Sequence, residues 1–181
     1  YGIEVIDYFA REELAILNAV CTAEGAIAIA MDNTAITLCN AKILVLGFGR
    51  IGKVLAHRLR GLGADVYVSA RSHADHAWIK AYGYKPMHTY NLGGKLKDFD
   101  VIINTIPSLV VTEELLAEVD KDCLLMDLAS KPGGIDFAAA ARLGLRAIWA
   151  LSLPGEAAPF TSGEIIRDTI YNILQEREEN S

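Results

Sequence analysis

A glycine-rich loop between a buried strand and a helix most constrains how this chain can fold. Residues 42–46 read KILVL, an apolar run typical of a strand that is buried on both faces. An amphipathic helical pattern covers residues 50–62. Between them lies a G-x-G-x-x-G loop made of Gly47, Phe48, Gly49, Arg50, Ile51 and Gly52. This order predicts a strand-turn-helix unit of the kind that binds dinucleotides.

Each glycine of the loop has a separate physical role in such a unit. Gly47 permits the tight turn, Gly49 lets the backbone approach a pyrophosphate, and Gly52 lets helix and strand pack closely. The phosphate charge then faces unpaired N–H groups at a helix N-terminus. We therefore predict a dinucleotide site here, the alternative being a glycine turn without a ligand.

Strand and helix patterns alternate along the rest of the chain. Parallel strands need crossover connections, which are nearly always right-handed, so the alternation predicts an α/β fold with a Rossmann-like, doubly wound parallel sheet. Further strands are expected at 65–70, 84–88, 100–107, 123–129 and 145–150. Helices are expected at about 11–35, 50–62, 73–82, 112–119, 136–143 and 161–178.

The chain is expected to divide into three parts. Residues 1–40 would be the remnant of a truncated first domain with an N-terminal interdomain helix, since the first residue is tyrosine rather than methionine. Residues 41–160 would be the dinucleotide-binding domain, and 161–181 a C-terminal helix and tail. The apolar stretch 26–31 is too short to span a bilayer, so we expect no membrane segment.

The end of the second strand bears on which dinucleotide is bound. NAD-binding domains usually carry an acidic residue there for the ribose 2′-hydroxyl, but this chain has Ala70, and Asp65 lies at the other end of the strand. Ser69, Arg71 and Ser72 surround that position, and a guanidinium with hydroxyls suits a 2′-phosphate. We therefore expect NADP, with NAD as the less favoured alternative.

Two other strand ends are candidates for the nicotinamide half of the site. Ligands of open α/β sheets bind at the carboxyl ends of the strands. The alternative is that these are ordinary strand–loop junctions, and the proline-containing segment 153–163 is expected to form a rigid loop near the same edge. The candidate residues are Asn104, Thr105, Ile106 and Pro107 after the fourth strand, and Leu128, Ala129 and Ser130 after the fifth.

Charge and cysteine content argue against other classes of function. The formal net charge of −6 disfavours binding to nucleic acid or to an anionic membrane. The three cysteines are scattered and contain no C-x-x-C pair, so we expect reduced thiols in a cytoplasmic protein. His73 and His76 could share a helix face but have no further ligand nearby, and we expect no metal site.

Several segments together resemble the family of dipicolinate synthase A subunits. The resemblance extends from about Ile6 to Ile173, and its helix with an Ala-Glu pair followed by the glycine loop also resembles D-2-hydroxyacid dehydrogenases in general. The matching segments are NAVCTAEGAIAIAM (18–31), LVLGFGRIG (44–52), SARS (69–72), INTIPS (103–108), DLASKPGG (127–134) and LPGEAAPFTSGEI (153–165).

The resemblance implies an NADP-dependent oxidoreductase component. It would form dipicolinate from a dihydrodipicolinate-pathway intermediate, a small dicarboxylate, in the cytoplasm of the mother cell of a sporulating bacterium. The implied partner is the flavoprotein-like B subunit of dipicolinate synthase, and an oligomer is expected. A site built across an interdomain cleft would be incomplete here, so this chain could bind the cofactor without turnover.

The resemblance also implies roles for particular residues. The loop glycines would hold the pyrophosphate, Ser69, Arg71 and Ser72 the 2′-phosphate, and Thr105, Pro107 and Ala129 would lie beside the nicotinamide ribose. Thr22 and Glu24 on the interdomain helix are the catalytic candidates; Glu24 would be an acid/base or substrate-binding group, or else an ordinary polar helix residue. Lys131 and Arg142 would contact the dicarboxylate or be solvated surface residues.

Two alternative functions are compatible with the sequence. One is a module that binds NADP for assembly or sensing without chemistry of its own. The other is a D-2-hydroxyacid dehydrogenase-like enzyme, whose catalytic histidine is expected after the later strands. This sequence has no histidine after Leu128, which disfavours the second alternative.

Overall fold

The computed structural model describes residues 5–179, so the outermost residues of the first and third predicted parts lie outside it. The strands are β1 (Lys42–Leu46), β2 (Asp65–Ala70), β3 (Lys85–His88), β4 (Val101–Asn104), β5 (Leu124–Asp127) and β6 (Arg146–Trp149). The helices are α1 (Glu12–Asn33), α2 (Arg50–Gly61), α3 (His73–Ala81), α4 (Glu113–Leu116), α5 (Phe137–Arg142), α6 (Leu153–Ala157) and α7 (Pro159–Glu179).

The six strands form one parallel sheet in the order β3-β2-β1-β4-β5-β6. This is the doubly wound order, in which the direction of winding reverses between β1 and β4. The predicted fold class is therefore confirmed. Pro86 lies on β3, at the sheet edge, where its missing N–H disrupts no ladder.

Helices cover both faces of the sheet, which explains the continuous apolar runs of the central strands. Ile43 and Val45 of β1 pack in a cluster with side chains of α1, α2, α3 and α6. Leu44 and Leu46 point to the opposite face, into a second cluster with α4, α5 and the segment 92–99. Successive strand residues alternate between faces, so a strand covered on both sides must be apolar at every position.

Helix α1 bears on the expectation that the chain has no membrane segment. By length and composition alone, the whole helix is long and apolar enough to cross a bilayer. The core helix of a folded domain passes the same test. Here α1 contacts α2, α6 and α7, and Ala23, Ala26 and Ala30 are fully buried. Its apolar composition is thus accounted for by packing on several sides.

The segment 153–163 also differs from expectation, because it is helical rather than a loop. It contains α6 and the first turn of α7. Pro154 lies in the first turn of α6, and Pro159 is the first residue of α7. Proline is tolerated at the start of a helix, where its missing N–H would have no intrahelical partner. The prolines therefore mark helix starts.

The C-terminal helix returns to the start of α1. Arg11, which precedes α1, donates to both carboxylate oxygens of Glu176 on α7, at 2.7 and 2.6 Å. Arg11 also donates to Glu13 at 2.7 Å. These contacts bring together residues 165 positions apart in sequence. The two ends of the described chain therefore lie side by side.

The three thiols are free and differ in accessibility, which gives a first testable prediction. Cys39 is exposed, whereas Cys21 and Cys123 are 2% and 1% exposed. Burial raises the pKa of the Cys123 thiol to about 12, and burial likewise raises the pKa of Cys21. Because the thiolate is the reactive form, we expect a thiol reagent at pH 8 to modify only Cys39 in the folded protein.

Mass spectrometry of the reacted protein, with and without denaturant, measures this outcome. The Cys39→Ser variant serves as the control and should take up no reagent until it unfolds. Rapid modification at a second cysteine in the native protein would contradict the burial of Cys21 and Cys123.

Candidate dinucleotide-binding site

A cavity of about 620 Å³ opens at the carboxyl edge of the sheet, where the winding reverses. This is the position at which open α/β sheets bind ligands. Its walls come from the ends of four strands and the loops that follow them. The lining residues are Gly47, Phe48, Gly49, Arg50, Ile51, Ala70, Arg71, Asp75, Thr89, Tyr90, Thr105, Ile106, Pro107, Ser108 and Val110.

β1 lies between β2 and β4, and contacts from the ends of both strands hold the turn that follows β1. Gly47 has φ +100°, and its N–H donates to the backbone oxygen of Ser69 at 3.1 Å. A Cβ on Gly47 would lie 2.5 Å from Thr105 Oγ1, and that hydroxyl donates to the Leu46 oxygen at 2.8 Å. Both the conformation and the lack of space therefore require glycine at this position.

The other two loop glycines meet different surroundings. A Cβ on Gly52 would lie 2.2 Å from the Gly47 oxygen, so close approach of α2 to the turn requires glycine there. A Cβ on Gly49 would meet no protein atom within 4 Å, and Gly49 lines the cavity. Gly49 is also the N-cap of α2 and supplies no capping side chain. The start of α2 is thus open toward the cavity, as an anion site requires.

Of the three residues predicted to hold a 2′-phosphate, only Arg71 lines the cavity. Its side chain is exposed, and it has no ion-pair partner within residues 5–179. A guanidinium in this position is available to an incoming anion.

The two serines predicted to hold the 2′-phosphate do not line the cavity and make contacts within the protein. Ser69 is fully buried; its Oγ is 3.3 Å from the donating Gly47 N–H and 3.2 Å from Thr89 Oγ1. Ser72 caps α3 by accepting from Asp75 N at 3.0 Å, and its hydroxyl donates to Asp75 Oδ2 at 2.7 Å. Ser69 faces inward because β2 is buried on both sides, and the Ser72 proton is engaged by Asp75.

The residues predicted for the nicotinamide half divide into two groups. Thr105, Ile106 and Pro107 line the cavity. Asn104 lies beneath it, fully buried, with its amide donating to Ile106 O at 2.9 Å and to Asp127 Oδ1 at 2.8 Å. Asn104 therefore holds the loop in place and does not face a ligand. Leu128 and Ala129 are buried and Ser130 is exposed, along the same sheet edge but outside the cavity wall.

A buried carboxylate that no sequence pattern singled out organises this edge. Asp127 is fully buried at the end of β5. Its Oδ1 accepts from Asn104 Nδ2 and from Ala129 N at 3.0 Å, and its Oδ2 accepts from Gly134 N at 2.7 Å and Ile135 N at 3.1 Å. Asp127 thus fixes the loop 128–135 to the strand ends. The aspartate of the segment DLASKPGG was visible in the sequence, but its burial was not.

The two catalytic candidates do not lie at the cavity. Thr22 is 7% exposed, and its hydroxyl donates to the Asn18 backbone oxygen at 2.8 Å. Glu24 pairs with Arg58 of α2 at 2.9 Å. Arg58 lies eight residues beyond Arg50, which places it about 12 Å along the helix from the open N-terminus. Neither residue therefore lies at the cavity wall, and their catalytic role stays a prediction.

Glu24 lies away from the cavity because of the direction in which α1 runs. Glu12 pairs with Arg50 at 2.7 Å, while Glu24 pairs with Arg58, so α1 and α2 run parallel. The first turn of α1 lies beside the start of α2, and the middle of α1 lies beside a later turn of α2.

The two residues that were predicted to contact the dicarboxylate also lie in different parts of the structure. Arg142 pairs with Glu113 at 2.8 Å on the surface of α5, and Lys131 is exposed in the loop 128–135. Within residues 5–179, no three His, Cys, Asp or Glu side chains are grouped so that they could hold a metal.

Five residues of the cavity wall were missed by sequence reasoning. Thr89 and Tyr90 follow β3, and applying the strand-end rule to that weak strand would have found them. Asp75 stands three residues after the cap Ser72, a spacing typical of a capping box. The other two, Ser108 and Val110, follow the fourth strand.

Comparisons with known proteins agree with this geometry. Residues 18–126 match the family model described as D-isomer specific 2-hydroxyacid dehydrogenase, NAD binding domain. The A subunit of dipicolinate synthase of Bacillus subtilis (strain 168) is 40% identical over 173 residues, which cover 96% of this chain and 58% of that protein. The chain thus spans less than two thirds of the length of this curated relative.

Solved structures show the same similarity. The A chain of dipicolinate synthase from Bacillus subtilis matches with a TM-score of 0.95 and 39% identity, over 98% of this chain and 60% of that one. The corresponding protein from Bacillus halodurans matches with a TM-score of 0.91 and 42% identity, over 93% and 58%. The transhydrogenase of Sinorhizobium meliloti, at 20% identity and a TM-score of 0.79 over 91% and 55%, shares the fold.

Proposed function

Because this chain belongs to the family of D-isomer specific 2-hydroxyacid dehydrogenase NAD-binding domains, we propose that it is the NADP(H)-binding part of a dipicolinate-forming oxidoreductase. The family supports a nicotinamide dinucleotide as the cofactor and an oxidoreductase as the class of protein. The preference for NADP and the identity of the substrate are our proposals.

The observation that carries the proposal is the pairing of an open helix N-terminus with an unpaired guanidinium in one cavity. The start of α2 offers backbone N–H groups to a pyrophosphate, since no side chain caps it. Arg71, beyond the end of the neighbouring strand, lines the same cavity. In this arrangement the protein would bind and orient the dinucleotide along the sheet edge, with Thr105, Ile106 and Pro107 of the cavity wall available to its other half.

The chemistry would be oxidation of a partly reduced pyridine dicarboxylate. On binding, the nicotinamide would accept the hydride lost from a carbon–hydrogen bond of the ring, and a proton would be released as the ring becomes aromatic. The cofactor supplies the redox step, and the protein supplies positioning. The residues of this chain would hold the cofactor. Lys131, exposed in the loop 128–135 after β5, is the side chain we propose for contact with a substrate carboxylate.

The proposal extends to the setting of the reaction. The similar Bacillus subtilis protein is named as one lettered subunit of its synthase, which implies a second one. We propose the flavoprotein-like B subunit as that partner, and sporulation in the mother-cell cytoplasm as the setting. A second candidate function is a sensing or assembly module, because Thr22 and Glu24 are both engaged away from the cavity.

Removal of the Arg71 guanidinium tests the proposed cofactor preference. We expect Arg71→Ala to weaken NADPH binding about tenfold to a hundredfold, because charge-assisted hydrogen bonds to the 2′-phosphate are lost. Binding of NADH should change by less than about threefold, since NADH carries no phosphate there. Titration of each dinucleotide, followed by nicotinamide fluorescence, measures both constants.

Arg142→Ala is the matched control, an exposed arginine that pairs with Glu113 and does not line the cavity. It should leave both affinities unchanged. Equal weakening of NADPH and NADH by Arg71→Ala, or no weakening at all, would contradict the NADP proposal.

A further inference from the structure

Two side chains of opposite charge share the cavity wall beyond β2. Arg71 directly follows the last strand residue, Ala70, and Asp75 lies in the first turn of α3. Both line the cavity. The second strand itself ends without a carboxylate, but the fold brings one to this cavity from the following helix.

The Asp75 carboxylate is held in a defined position. Ser72 Oγ donates to its Oδ2 at 2.7 Å, and the Asp75 N–H donates back to Ser72 Oγ at 3.0 Å. The other oxygen, Oδ1, accepts no hydrogen bond from residues 5–179. The N-terminal turn of a helix also stabilises a negative charge. The carboxylate is therefore fixed on one side and has a free acceptor on the other.

We propose that Asp75 is a specificity-determining residue that opposes binding of a 2′-phosphate and favours a free ribose 2′-hydroxyl. This inference rests on the proposed function of the cavity as a dinucleotide site. A carboxylate repels a phosphate dianion at short range, whereas its free oxygen can accept a hydrogen bond from a hydroxyl. Arg71 acts in the opposite direction, because it attracts the phosphate.

The consequence is that the site accepts both NADP and NAD. Its preference between them is the difference between attraction of the 2′-phosphate by Arg71 and repulsion by Asp75. The Ser72 hydroxyl supports this inference, because its proton is donated to Asp75 and is not available to a phosphate. Selectivity for NADP is therefore smaller than Arg71 alone would give, and Asp75 limits it.

The test is the Asp75→Asn variant, which keeps the size of the side chain and an oxygen that can accept from Ser72. We expect the variant to bind NADPH at least about fivefold more tightly than the unmodified protein does, because the repulsion between the carboxylate and the 2′-phosphate is removed. NADH should bind equally well or up to about threefold more weakly. Fluorescence titrations at low salt measure both, and the gain for NADPH should shrink at about 0.5 M NaCl, where charges are more strongly screened.

Asp98→Asn is the matched control, an exposed aspartate outside the cavity wall, and it should change neither affinity. A thermal melt of each variant verifies that the cap of α3 survives. Unchanged NADPH affinity in folded Asp75→Asn, with NADPH binding still sensitive to Arg71→Ala, overturns this inference and leaves the proposed function standing. If the unmodified protein binds neither NADPH nor NADH, that result contradicts both this inference and the proposed function.

Discussion

Replacing Gly49 by alanine is expected to weaken dinucleotide binding by at least about a hundredfold while the protein stays folded. Gly49 lines the cavity, and a Cβ there would meet no protein atom within 4 Å, so the methyl group costs the fold nothing. It would instead occupy space beside the open start of α2, where we propose that the pyrophosphate binds. Loss of two charge-assisted hydrogen bonds to backbone N–H groups corresponds to about 3 kcal/mol or more.

Gly61→Ala provides the matched control for this change. Gly61 is the last residue of the same helix, and a Cβ there also meets no protein atom within 4 Å. That variant should bind both dinucleotides normally. Titration with NADPH and NADH, alongside thermal unfolding, separates the effects. Retention of normal affinity in Gly49→Ala would show that the pyrophosphate does not lie against this loop.

The largest effect on stability is expected from Asp127→Asn, which should lower the free energy of unfolding by about 3 kcal/mol or more. Each oxygen of Asp127 accepts from two donors, so whichever way the asparagine amide is turned, its NH₂ group faces two buried donors. Each donor that loses its acceptor costs about 1–3 kcal/mol. That sum is a large share of the roughly 5–15 kcal/mol typical of a domain.

Urea denaturation measures the change in unfolding free energy, and Asp98→Asn is again the control because that aspartate is exposed. Amide hydrogen exchange gives a second, local readout. The amides of Gly134 and Ile135 donate to Asp127, so they should exchange faster in the variant while those of β1 keep their relative protection. A loss of less than about 1 kcal/mol would mean that the loop finds other acceptors.

The fold was predictable from the sequence because its signals are local. Apolar runs such as KILVL and the amphipathic pattern over 50–62 each report the environment of a single element. The alternation of strands and helices, with right-handed crossovers, then predicts a doubly wound parallel sheet, whereas the order of the strands within it was not predicted. The requirement for glycine at 47 and 52 was likewise predictable, since the positive φ of Gly47 and the approach of Gly52 to the Gly47 oxygen arise within the loop.

The site was only partly predictable because several of its residues depend on tertiary packing. Ser69 lies one residue from the strand end, yet it points into the core since β2 is covered on both faces. Glu24 was placed on a helix correctly, but the parallel packing of α1 and α2 decides that it reaches Arg58. The buried carboxylate of Asp127 depends on donors from Asn104 and from the loop 128–135, which no local pattern reveals.

The ion pair between Arg11 and Glu176 has a mechanical consequence. The start of α1 and the end of α7 are therefore tied to each other at one corner of the molecule. Glu12, next to this corner, pairs with Arg50 on the cavity wall, so a displacement of the corner would also displace the start of α2.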